Sequence, residues 1–169
     1  MRVIKYGNSI LRMKAKPVEE INDSIHELAD NMIQTMREYE GIGLAAPQVA
    51  ESKALFVIDL SLIEEGVEPK AIINPEIISK SGVSVFEEGC LCIPGIREEV
   101  KRPEIIQVKY QDIEGNLHEE EIDGLKARVF QHEIDHLHGV LFVDRLGTMK
   151  RKLLQKQLKK IAEEEQGKA

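Results

Sequence analysis

The chain has no tryptophan, and Phe and Tyr supply only 4% of its 169 residues. Its core must therefore be largely aliphatic. Cysteine is nearly absent as well: Cys90 and Cys92 are the only two, one residue apart. That spacing seldom closes an unstrained disulfide, so they read as free thiols or metal ligands rather than as a staple. No long apolar run exists. The longest, Ala54 to Ile58, is far too short to cross a bilayer, so no membrane partner is expected. The start, Met1-Arg2-Val3-Ile4-Lys5-Tyr6, lacks a secretory apolar region, so the expected location is cytoplasmic. Positive charge is in deficit: 23 Lys and Arg face 30 Asp and Glu, a net charge of -7. That balance argues against direct DNA binding by the chain as a whole.

A length of 169 residues suggests one domain. Residues 24–40 predict a helix, with Ser24 and Glu27 as a capping box and Gly41 as the residue just past its end. Ile25, Leu28, Ala29, Met32, Ile33 and Met36 form its apolar stripe. Asn22-Asp23-Ser24 fits a glycosylation sequon but reads as capping chemistry. The segment from Gly41 to Gln48 is too glycine-rich for a helix, and Pro47 argues against a central strand. Strands are expected at 55–58, 71–75, 83–86 and 106–110, with Glu114-Gly115-Asn116 as a hairpin turn. Residues 148–165 predict a charged amphipathic helix. Its Lys150, Arg151, Lys152, Lys156, Lys159 and Lys160 form a basic block in an acidic chain. That block is either a solvated face or a docking element for an anionic partner such as RNA.

His132-Glu133-Ile134-Asp135-His136 is an H-E-x-x-H motif on a predicted helix, 125–138. Histidines four apart share a helix face at about 6 Å. Both can grip one metal ion, and Glu133 can handle protons for a metal-bound water. Leu125, Val129, His132, Glu133 and His136 share one face. Phe130, Ile134 and Leu137 share a second, apolar one. Ala127, Arg128, Gln131, Asp135 and His138 make a third, mostly polar one. Two apolar faces imply a helix buried in the interior.

A catalytic site of this kind usually takes a third protein ligand. One protease class extends the motif to a histidine at position 142, which here is Phe142. Another uses a downstream glutamate, and the downstream carboxylates are Asp144 and Glu163 to Glu165. A zinc metalloprotease is thus the disfavoured alternative. A structural metal site would close with four ligands and would not need Glu133. Upstream, Glu87-Glu88-Gly89-Cys90-Leu91-Cys92 offers a thiolate, and one thiolate with two imidazoles suits a divalent transition metal. The other reading of Cys90 is a small buried hydrophobe. Cys92 reads as a packed thiol pointing away from Cys90. Glu88, Arg102 and Asp135 are candidates for orienting the ligands, while His26, His118 and His138 carry no expected role.

Taken together, Gly41–Gln48, Glu88–Cys92 and Gln131–His136 resemble the peptide deformylase family, in order and in spacing. The resemblance spans about residues 1–147, expected as the catalytic part, with 148–169 a C-terminal basic helix and tail of the same domain. Cys92 is a departure, since serine is common there in the family. The resemblance implies an α+β fold of mostly antiparallel strands around a buried H-E-x-x-H helix, with N-terminal and C-terminal helices. It implies removal of the formyl group from formyl-methionine at the start of new polypeptides. It implies metal ligands Cys90, His132 and His136, with Fe2+ most common in cells and Zn2+ or other divalent ions able to substitute. It gives Glu133 as acid/base, and the Gln48 amide and Leu91 backbone N–H as oxyanion donors. Ile42, Phe86, Leu125 and Val129 are expected to wall the methionine pocket, with Gly43 and Gly89 offering backbone to the peptide. The basic helix is then expected to dock at the ribosome.

Overall fold

The computed structural model describes residues 1–168. Its first helix, α1 (Asp23–Glu38), starts one residue before the predicted position. Asn22 is the cap, its side chain accepting from the Ile25 N–H at 3.2 Å. Ser24 Oγ instead donates to the Asn22 side-chain oxygen Oδ1 at 2.7 Å, so the Ser24–Glu27 capping box does not form. At the other end Glu40, not Gly41, takes the left-handed conformation at φ 56°. The Gly41 N–H bonds the Met36 carbonyl and the Glu40 N–H that of Arg37, closing a Schellman motif one residue early.

Five strands follow in one antiparallel sheet: β1 (Gly43–Ala45), β2 (Leu55–Ile58), β3 (Lys70–Ser81), and, after a separate hairpin, β6 (Ile105–Gln111) and β7 (Leu117–Ile122). Their spatial order is β1-β2-β3-β6-β7. The hairpin consists of β4 (Ser84–Cys90) and β5 (Ile93–Arg102), joined by the tight Leu91-Cys92 turn. β1 was not expected as a strand. It is short and lies at the sheet edge, and Pro47 falls just beyond it in a 3-10 turn, Ala46–Val49, where the missing N–H costs nothing. β3 is longer than expected. It runs through Pro75 because the ladder to β6 slips register between Ile73 and Glu76, so no bond is demanded of the proline.

Both faces of this sheet are covered. β2 alternates: Phe56 and Ile58 face α2 (Gly124–Leu137), while Leu55 and Val57 face α1. Phe56 and Phe130 of α2 meet edge to face at 5.3 Å. A third apolar cluster joins β5, the 3-10 turn Phe142–Arg145 and α3 (Thr148–Gln166) through Val100, Phe142 and Leu158. The core is aliphatic as the composition demands, with three phenylalanines, Phe56, Phe130 and Phe142, among its largest buried side chains. α2 thus lies between the sheet and the β4–β5 hairpin, and even its polar face is buried. No helix among the described residues is long and apolar enough to cross a membrane.

Candidate metal centre and active site

Three separate segments converge at the sulfur of Cys90. Cys90 ends β4, where the hairpin turn begins. His132, Glu133 and His136 come from α2. Gln48 comes from the 3-10 turn after β1. The Cys90 Sγ lies 3.3 Å from His136 Nε2 and 3.4 Å from the Gln48 amide nitrogen. The His132 and His136 rings sit 5.1 Å apart, the spacing that i and i+4 impose. Cys92 does not point away. Its Sγ lies 3.0 Å from that of Cys90, because the segment is not extended there but folds into the Leu91-Cys92 turn. Donor atoms of Cys90, Cys92 and His136 all lie within 4.8 Å of one another, a cluster able to hold a metal ion.

Behind these groups is a buried ionic network. Glu88 accepts from Arg102 Nε at 2.7 Å, from Arg128 Nη1 at 2.6 Å and from His132 Nδ1 at 2.8 Å. Burial alone would raise the Glu88 carboxyl, but His132 and Arg102 overcome it and hold it down at about 2. An ionised carboxylate only accepts, so the His132 Nδ1 carries a proton, and Nε2 is the ring nitrogen left to serve as a metal donor. Arg102 reaches on to Asp135 at 2.8 Å, and Arg145 clasps Asp135 with two bonds of 2.6 Å. The three orienting candidates are therefore linked, with Arg102 bridging Glu88 and Asp135. Arg128 and Arg145 complete the network and were missed. The signal for Arg128 was present: a basic side chain on a buried helix requires an acidic partner.

On the other side of α2, polar atoms lack partners. Glu133 Oε2 and His136 Nδ1 are buried without a hydrogen bond. Burial pushes the Glu133 carboxyl up to about 7. Its Oε1 lies over Gly43, where a built Cβ would come within 2.5 Å. Only glycine lets the carboxylate sit there. The Gln48 carbonyl accepts from the Ala45 N–H at 2.8 Å, which fixes its NH2 toward Cys90. Burial, with Cys92 adding to it, pushes the Cys90 thiol up to about 12. A bound divalent ion reverses that preference by stabilising the thiolate. Sulfur, an imidazole nitrogen oriented by Glu88, and an unpartnered carboxylate beside them fit a divalent metal ion.

The site opens on a cavity of about 590 Å3. Ile42, Gly43, Gln48, Gly89, Cys90, Leu91, Leu125, Val129, His132 and Glu133 all border it. His136 is sealed behind them at 1% exposure. Phe86 is not at the cavity. It is 59% exposed, two residues before Glu88 on the same strand, with the Arg128 guanidinium 5.5 Å from its ring. Arg128, not Phe86, borders the cavity. Arg97, paired with Glu87 at 2.7 Å, stands at the rim and was not anticipated. Phe142, the position where a zinc protease would put its third ligand, stacks on His132 at 6.2 Å. An aromatic wall there leaves that protease class without its site.

An H-E-x-x-H helix, a converging thiol, a buried carboxyl near neutrality and an oriented amide on one cavity define a metallohydrolase of the α+β class. The match that makes this specific covers residues 1–152, which fit the polypeptide deformylase model, and the chain belongs to that family. A peptide deformylase of Thermotoga neapolitana is 46% identical, covering 98% of this chain and 99% of its own. One from Chlorobium phaeobacteroides is 50% identical over 90% of this chain and 84% of its own. Among solved structures, a peptide deformylase of Synechococcus elongatus in complex with actinonin is 45% identical. It has a TM-score of 0.87 and covers 92% of this chain and 86% of its own. One from Arabidopsis thaliana with an inhibitor is 34% identical at a TM-score of 0.93, covering all of this chain and 94% of its own.

Proposed function

We propose that this chain removes the N-formyl group from formyl-methionine at the start of newly made polypeptides, releasing formate, with Cys90, His132 and His136 holding a divalent ion. Fe2+ is the ion expected in cells, and Zn2+ suits the same sulfur and nitrogen donors. When bound, such an ion supplies Lewis-acid character that makes water a nucleophile near neutral pH. The observation that carries the reading is Glu133: a buried, unpartnered carboxyl facing the cavity beside the sulfur–imidazole cluster.

Glu133 takes the proton from water and passes it to the departing amine nitrogen. A carboxyl near pH 7 can do both, since neither protonation state is strongly preferred. Gln48 supports an oxyanion role because its carbonyl is already held by Ala45, leaving the NH2 to face the charge that builds on the formyl oxygen. The Leu91 N–H, in the turn beside Cys90, is the second donor. Leu125, Val129 and Ile42 wall the methionine side chain, with Leu125 partly open at the rim. Gly43 and Gly89 admit an extended peptide close to the backbone.

The same reading includes docking of α3 at the ribosome. Lys152, Lys156 and Lys160 lie on its exposed face. Lys150 pairs with Glu98, and Lys159 and Lys160 approach glutamates of the next turn, so the field is partly neutralised. Reversing Lys152 and Lys156 to glutamate should weaken co-sedimentation with ribosomes in a salt-dependent way. Unchanged sedimentation removes the docking role. The hydrolytic assignment is tested by formate release from formyl-Met peptides; a metal-loaded protein that releases none overturns it.

A further inference from the structure

We propose that Lys5 is a positioning residue for the oxyanion donors: its side chain fixes the Leu91 peptide, while the segment that carries it fixes Gln48. This rests on the reading of the Leu91 N–H and the Gln48 NH2 as the donors to the formyl oxygen. Those two groups come from segments far apart in sequence, the Leu91-Cys92 turn and the 3-10 turn Ala46–Val49. Two donors stabilise developing charge only if both already point at one spot. The two turns therefore have to be tied together.

Residues 4 to 6 tie them. The Ile4 N–H donates to the Gln48 backbone carbonyl at 2.9 Å, and the Tyr6 N–H donates to the Cys92 carbonyl at 2.8 Å. Between them, the Lys5 ammonium donates to the Leu91 carbonyl at 2.7 Å. The segment is itself anchored. Val3 is buried in the apolar cluster of the α1 stripe, and Ile4 in the cluster shared by β5 and α3.

Within the hairpin turn, Cys90 is fixed by its ladder pairing with Ile93, and the Cys92 carbonyl by Tyr6. What remains is the Leu91–Cys92 peptide unit. It can rotate about its flanking soft torsions and turn the neighbouring Leu91 N–H with it. Its carbonyl is the group that Lys5 grips, and a hydrogen bond from a cation is roughly twice as strong as a neutral one. The ammonium also stands 5.4 Å from the centre of the Tyr39 ring, at the end of α1, where the cavity wall of Glu40 to Gly43 begins. Lys5 thus braces the two walls of the cavity. It does not border the cavity itself, so it acts through Leu91 and not on the substrate.

The competing account is a lysine that merely anchors the start of the chain. Lys5→Met keeps an apolar stem but removes the donor. In the metal-loaded protein, kcat for a formyl-Met peptide should fall about 10- to 100-fold with KM nearly unchanged, because misplaced donors cost the transition state and not the bound peptide. Lys5→Arg should recover most of kcat, since a guanidinium also donates as a cation. In protein labelled with nitrogen-15 leucine, the Leu91 amide resonance should move in Lys5→Met and return toward the parent position in Lys5→Arg. Lys5→Gln, with a shorter side chain, takes the place of Lys5→Met if that variant does not fold. An unchanged kcat overturns the inference and leaves the deformylase reading standing. So does a fall in kcat that tracks a lower urea midpoint and that Lys5→Arg does not restore, which is the anchoring account. A parent protein that releases no formate overturns the deformylase reading itself, and the inference falls with it.

Discussion

The two sides of α2 are built on opposite rules. On the side facing the β4–β5 hairpin, every charge is answered: Glu88 by Arg102, Arg128 and His132, and Asp135 by Arg102 and Arg145. Toward the cavity, Glu133 Oε2 is left without a partner, and the Nδ1 of His136, sealed behind the cavity wall, has none either. Both sets are buried, so solvent does not explain the difference. Buried polar groups are costly unless paired, and a protein leaves them unpaired where something else is to use them. The paired side fixes where the imidazoles point. The unpaired side is where the chemistry is proposed to happen.

Removing the unpaired acid should have the largest effect. Glu133→Gln keeps the shape but cannot carry a proton between water and amine. Deformylation should fall by roughly 10²–10⁴-fold. Metal content, read by elemental analysis, should stay near that of the parent. A variant that keeps full activity would sink the assigned role, and one that loses its metal would move Glu133 to the ligand set.

Much of this contrast was legible in the sequence. The i, i+4 histidines with their glutamate, and Cys90 upstream, were visible as residue types at set spacings, and the apolar stripe of α1 was visible from its period. Two kinds of feature were not. Partner choice across the fold depends on which strand lies over which helix turn, so Arg128 and Arg145 could not be joined to Glu88 and Asp135 from spacing alone. Fine direction failed as well. Phe86 shares strand parity with Glu88, yet it is exposed beside the Arg128 guanidinium, and Arg128 rather than Phe86 borders the cavity. The start of α1 slipped by one residue because Asn22 competes with Ser24 as a cap, and its end by two because Glu40 accepts the left-handed conformation expected of Gly41.

Breaking the paired side should cost stability rather than chemistry. Arg102→Met leaves Glu88 and Asp135 as buried carboxylates with fewer partners. Unpairing a buried charge typically costs about 3–5 kcal/mol. Urea unfolding should show that loss, and activity should fall as His132 loses its fixed orientation. A stability change below about 1 kcal/mol would mean that Arg128 and Arg145 can support the network by themselves.

The unpaired side carries the opposite sign. The Glu133 carboxyl is raised by burial to about 7, above its value in an unfolded chain. The folded state then binds more protons than the unfolded one between those two values. The metal-free protein is therefore most stable below the unfolded pKa and loses stability as pH rises toward 7. The full loss corresponds to about 3 kcal/mol. Glu133→Gln has no such proton to lose. Its urea midpoint should exceed that of the metal-free parent at pH 8, and the gap should close near pH 4. A constant gap across that range would mean Glu133 is not buried as a lone acid.

The smallest change tests the contact between the two sides of the cavity. A Cβ on Gly43 would come within 2.5 Å of Glu133 Oε1 and 3.0 Å of its carboxyl carbon. The atoms it meets belong to a side chain, so the carboxylate can shift, but it is walled in by burial. Overpacking of this kind costs about 1–3 kcal/mol. Gly43→Ala should therefore lower the unfolding midpoint modestly. It should reduce kcat more than it raises KM, because the displaced group is the proton carrier rather than a wall of the methionine pocket. In Gly43→Ala/Glu133→Gln, the stability cost should persist because the amide has the same bulk, while the added loss of activity should vanish. If the two activity losses multiply instead, Gly43 serves the peptide backbone and not the carboxylate.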